Sequence, residues 1–167
     1  IRRLIPAQDA YYAYGLDVIC PVDRTPLNRI TWENPGHVQC KHGHVFPYAE
    51  YPDDGGGYFA QDGRPHYFKA RWNGFVVTEL TMLLKPLTYL YLITGDSAYA
   101  NKAAVILDAI ATIYPTAIHG PLDYPGLSKD KEGGRLERPY YQAARHLMLY
   151  GEAYSILQAS SVLDQPS

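Results

Sequence analysis

Two short stretches near the start of the chain carry residues that bind metal ions. They are Cys20-Pro-Val-Asp23 and Cys40-Lys-His-Gly-His44, and together they read as a degraded pair of zinc knuckles. An intact knuckle sets two thiolates two residues apart, so that one turn offers both sulfurs to one ion. Here each half keeps a single Cys. Asp23, His42 or His44 is of the right type to stand in for a missing sulfur, because carboxylate and imidazole also bind zinc. The candidate metal set is therefore Cys20, Asp23, Cys40 and His42, with a structural zinc as the expected ion. Two alternatives stand beside it: a Cys20–Cys40 disulfide in a secreted protein, and two thiols that hold nothing. The cluster lies in loop-rich sequence far along the chain from the helices, which argues against a catalytic metal.

A second group of residues has the chemistry of glycan contact. Arg71-Trp72-Asn73 places a large aromatic ring between a guanidinium and an amide. Tyr140, Tyr141, Gln142 and Arg145 repeat that mixture later in the chain. Sugar rings stack on aromatic faces, while their hydroxyls and carboxylates seek amide and cationic partners. Tyrosine is abundant, at 16 residues against 4 Phe and 2 Trp, which supplies flat apolar faces with a polar tip. The same residue types also pack: Trp72 is equally suited to anchor a core and Tyr141 to fill a helix interface.

The elements that must position these groups divide the chain in two. Residues 1–70 hold both Cys and many Pro and Gly between short apolar runs. Arg29–Trp32, His37–Cys40 and His44–Phe46 are strand candidates, with the turn-forming Glu33-Asn-Pro-Gly36 between the first two. Residues 71–167 are predicted to be helical. A first helix over about 74–93 is apolar nearly all round, and Pro86 is expected to kink it. Gly95 suits a left-handed C-terminal cap and Asp96 the next N-cap. A second, Ala-rich helix spans about 97–113, and a third runs from Pro139 to about Ala159. The long connection between them, 115–138, is of a length that is usually functional or mobile.

A chain of 167 residues suffices for one domain with a real core. Its formal charge of -2 shows no basic excess for nucleic acid. Glu79, Lys85 and Pro86 break the longest apolar run short of a membrane span, so no membrane partner is expected. The chain starts at Ile1 with no initiator Met and no apolar h-region, so the expectation is either that a signal has been removed or that the sequence is a piece of something longer. Three such apolar helices do not close a core by themselves, so the chain is expected to be the N-terminal fragment of a larger protein.

The run Tyr-Leu-Ile-Thr-Gly-Asp96-Ser-Ala-Tyr-Ala-Asn-Lys-Ala103 resembles the helical hairpin of heparinase II/III-like polysaccharide lyases and related alginate lyases. Ala70-Arg-Trp-Asn-Gly74 and Arg138-Pro-Tyr-Tyr-Gln-Ala-Ala-Arg145 sit where such proteins begin inner helices. The resemblance covers about residues 66–160 well and the earlier part loosely. It implies a mainly α fold: a partial (α/α) toroid of antiparallel hairpins, preceded by an irregular segment with short strands. The implied reaction is β-elimination at a uronic acid, on an acidic polysaccharide, in a secreted or periplasmic protein, with no cofactor required for the chemistry. That reaction needs a group that neutralises the uronate, a base such as Tyr or His, and an acid for the leaving oxygen. No Asn-His pair occurs in a helix here, so the catalytic set is expected beyond Ser167 and this part supplies scaffold and cleft wall. Two other classes remain open. One is a glycoside hydrolase of toroid fold, drawing on Asp123, Glu132 and Glu137; the other is a non-catalytic helical interaction module, although no fixed repeat period is present.

Overall fold

The computed structural model describes residues 2–13, 18–30, 32–61, 63–119, 136 and 140–164. Helix is the dominant regular structure, as α1 (Phe68–Thr94), α2 (Ser97–Ile113) and α3 (Tyr140–Gln158). The strands are short: β1 (Tyr11–Tyr12), β2 (Leu27–Arg29), β3 (Val38–Cys40), β4 (Val45–Phe46), β5 (Tyr58–Phe59), β6 (Pro65–His66) and β7 (Ile118–His119). Strands β2, β3 and β4 form an antiparallel sheet in that order, β5 pairs with β6, and β1 pairs in parallel with β7. The chain is thus mainly α with a small β part, as expected.

The hairpin of α1 and α2 closes as the local sequence dictates. Gly95 adopts φ 69° and its N–H donates to the Tyr91 carbonyl at 2.8 Å. Only a residue without Cβ takes that conformation without strain. Asp96 then accepts from the Ala98 N–H at 2.9 Å and starts α2. Helix α2 presents Ala100, Ala103, Ile106 and Ile110 to the core, one face at helical spacing. Helix α3 joins through buried Ala153 and Leu157 and through a 2.9 Å hydrogen bond between Tyr150 and Thr81.

The start of α1 differs from the expected residue 74. The helix begins at Phe68, ahead of the expected boundary at 71, and the side chain of Tyr67 at the cap position does not cap it. The cap comes from a distant loop. Asp53, almost fully buried, accepts from the Lys69 N–H at 2.9 Å with one oxygen. Its other oxygen accepts from the Gly55 and Gly57 N–H groups at 2.8 and 3.0 Å. A buried carboxylate is stable there because three N–H donors and the positive helix end surround it. Nor does Pro86 end the helix, which continues through it to Thr94.

One apolar cluster spans both parts of the chain, from Tyr12 and Val18 through Phe46 and Phe68 to Leu157. At its centre Phe46 stacks on Phe68 with ring centroids 4.8 Å apart. By length and composition α1 is apolar enough to cross a membrane, with 33% of its most apolar window buried. Its N-terminal half lies in the core, whereas Leu83, Leu90, Leu92 and Ile93 in the other half are exposed.

Candidate functional site

The two Cys-bearing turns meet. In the first, the Cys20 N–H donates to the Thr25 carbonyl at 2.7 Å and the Arg24 N–H to the Cys20 carbonyl at 2.9 Å. In the second, the Gly43 N–H donates to the Cys40 carbonyl and the Cys40 N–H to the His44 carbonyl, both at 3.1 Å. Gly43 takes φ 93°, which folds the chain back and sets His44 beside Cys40. Antiparallel pairing of Leu27 with Cys40 holds the two turns in register.

The metal-binding atoms of Cys20, Asp23, Cys40 and His44 all lie within 4.8 Å of one another. His44 Nδ1 is 3.5 Å from Cys20 Sγ, 3.4 Å from Cys40 Sγ and 3.2 Å from Asp23 Oδ2. Cys40 Sγ is 3.5 Å from Asp23 Oδ2. Tetrahedral zinc, with bonds of about 2.3 Å to sulfur and about 2.0–2.2 Å to nitrogen or oxygen, sets its donors about 3.3–3.8 Å apart. The four side chains therefore suit such an ion by type and number, and four of their donor pairs stand at or close to that spacing.

The sequence-derived set changes in one member. His44, not His42, completes the group, because the Gly43 turn carries His42 outward. His42 is exposed and places its Nδ1 2.7 Å from Asp23 Oδ2. Outer hydrogen bonds of this kind orient metal-binding carboxylates. The disulfide alternative is not formed, since both thiols are free and buried.

Charge at the cluster follows from its partners. The Thr25 hydroxyl and N–H donate to Asp23 Oδ1 at 2.6 and 2.9 Å, and with His42 they hold its carboxyl well below the usual range. Burial pushes the Cys20 thiol up to about 11. An ion binding there at neutral pH must displace a proton from that thiol, so metal uptake is coupled to proton release.

The glycan-contact candidates separate in the structure. A recess of about 430 Å³ lies at the first turns of α1, between the arm around β1 and the loops at Gly36 and Asp54. Trp72 and Asn73 both line it, together with Gln8, Asp9, Tyr11, Asp54 and Lys69. Trp72 is also a core residue, 6% exposed, with its ring edge-on to Trp32 at 5.8 Å. The Asn73 amide donates to the Tyr11 carbonyl at 3.0 Å, fixing the arm that forms one wall.

Arg71 does not reach the recess. It is buried, its Nε donates to the Leu27 carbonyl at 3.0 Å, and its guanidinium lies over the Phe75 ring at 4.0 Å. Its expected role as a ligand for hydroxyl or carboxylate groups gives way to joining β2 to α1. Gln142 and Arg145 lie on α3, half-buried and exposed respectively, and neither lines the recess. Tyr140 and Tyr141 belong to the first turn of α3, but their side chains lie outside the described residues, as do Asp123, Glu132 and Glu137. Sequence reading missed Gln8, Asp9, Asp54 and Lys69, which come from three separate segments with no shared spacing.

Comparison of the chain with known protein families, with characterised proteins and with solved structures finds no match.

Proposed function

We propose that Cys20, Asp23, Cys40 and His44 hold a structural zinc ion that clasps the β segment, and that the clasped unit serves as scaffold and cleft wall in a polysaccharide lyase. The observation that supports the zinc clasp is the gathering of four donors of the right type within 4.8 Å of one another, with His44 Nδ1 3.2–3.5 Å from each of the other three. Four protein donors leave no open position for substrate, so the ion's work is structural. Its bound charge would favour the thiolate form of both cysteines and pin together the two turns that the Leu27–Cys40 pairing brings side by side. Zinc content of the purified chain, with proton release on zinc uptake, tests the clasp.

The lyase part of the proposal is supported by the recess. Trp72 and Asn73, marked by the family resemblance as cleft residues, share one concavity of the size that binds small molecules and sugars. In a toroid the exposed apolar stripe of Leu83, Leu90 and Ile93 is the kind of face that a neighbouring hairpin covers. The substrate class proposed is a uronic-acid-containing polysaccharide cleaved by β-elimination. Trp72→Phe keeps an apolar ring in the core and shrinks the stacking face. It is expected to weaken oligosaccharide binding about fivefold, which corresponds to about 1 kcal/mol of lost ring contact. Titration calorimetry measures this, and an unchanged affinity contradicts the cleft role.

A further inference from the structure

The sheet of β2, β3 and β4 carries a second, smaller pocket that shares no lining residue with the recess. Its register places Arg29 opposite Gln39 and Gln39 opposite Val45, so these three side chains form one row on one face. Leu27, Cys40 and Phe46, by contrast, are buried in the core. The row joins Ile30, Asn34 and His37 around a pocket of about 120 Å³. That is the share of about four water molecules, at about 30 Å³ each. It is well below the roughly 300 Å³ at which drug-sized sites begin, so it suits a group of a few heavy atoms. No lining residue is acidic. Among the described residues the ion pairs are those of Asp23 with His42 and His44, which leaves the Arg29 guanidinium without one. The loop side chains are aimed by the backbone: His37 Nδ1 donates to the Pro35 carbonyl at 3.1 Å, and the Gln39 amide donates to the Gly43 carbonyl at 3.3 Å.

We infer that this pocket binds a carboxylate on a short aliphatic stem, with Arg29 and Asn34 as donors to its oxygens and Ile30 and Val45 against its stem. A guanidinium presents a planar fork of N–H donors that matches a carboxylate, and an amide adds a further donor. The apolar lining gives the stem a surface that a bare inorganic oxyanion leaves uncovered. Two sources carry this chemistry: a free short-chain acid, and the glutamate side chain of a polypeptide. The site depends neither on the zinc clasp nor on the glycan cleft.

Titration of the nitrogen-15-labelled full chain, followed by NMR at the Arg29 side chain and the Asn34 and Gln39 amides, tests this. Propionate is expected to shift these signals saturably, with a dissociation constant in the millimolar range for so few heavy atoms. Propionamide, of the same shape without charge, is expected to bind at least about fivefold more weakly. Formate and sulfate, which lack the stem, should be weaker than propionate as well. Arg29→Gln removes an exposed side chain with no ion pair among the described residues, so the rest of the spectrum should keep its parent form. It is expected to weaken propionate binding about tenfold. N-acetylglutamate N-methylamide separates the sources: tighter binding than propionate assigns the pocket to a polypeptide side chain, and weaker binding assigns it to a free acid. The inference is overturned if propionate gives no saturable shift at these residues. Equal binding of propionamide, of formate or of sulfate overturns it too, as does an unchanged affinity in Arg29→Gln.

Discussion

Replacing Cys40 by Ser is expected to abolish zinc retention and lower the thermal midpoint by about 10 °C in zinc-saturated buffer. The size follows from linkage. An ion present at about 1,000 times its dissociation constant adds about 4 kcal/mol to the folded state, and a domain of this length shifts by about 2–4 °C per kcal/mol. The sulfur is fully buried and 3.4 Å from His44 Nδ1, so Ser neither reaches nor softens the site enough to replace a thiolate. Treating the unmodified chain with a strong chelator should produce the same fall. Cys40→Ser in the presence of chelator should then melt close to the chelated parent. A variant that melts like the parent in saturating zinc would show that the four donors hold no stabilising ion.

Asp53→Ala is expected to cost about 3 kcal/mol by urea denaturation, because it strips the acceptor from three N–H groups at a nearly buried position. The effect should not need zinc. Its neighbour provides the control: Asp54 is exposed and, among the described residues, accepts from the Gly56 N–H alone, so Asp54→Ala should cost under about 1 kcal/mol. Comparable losses at the two positions would contradict the remote cap. Because Asp53 anchors the turn that carries Lys69, Trp72 and Asn73, its loss should also loosen one wall of the recess.

These residues show how far sequence reaches. The α1–α2 turn was legible because its signals are adjacent: Gly95 caps one helix and Asp96 starts the next. Strands β3 and β4 around Cys40 were legible for the same reason, whereas the expected Arg29–Trp32 strand lies earlier, at Leu27–Arg29, with Trp32 in the turn that follows. The start of α1 was not, since its cap, Asp53, lies 16 residues from the N–H it accepts. Arg71 misled for a similar reason, as the carbonyl that takes its guanidinium is 44 residues away. In the cluster, residue types indicated the chemistry but not the choice between His42 and His44. That choice turns on Gly43 and its backbone angle. The recess was half legible: Trp72 and Asn73 are one local pair, while Asp9, Asp54 and Lys69 meet there only through folding.

The zinc clasp is tested most directly by native mass spectrometry of the chain purified without added chelator, with cysteine alkylation run in parallel. One zinc ion per chain is expected, with Cys20 and Cys40 resisting alkylation until a chelator is added. A metal-free chain with two freely alkylated thiols, or one carrying the mass of a Cys20–Cys40 disulfide, would contradict it.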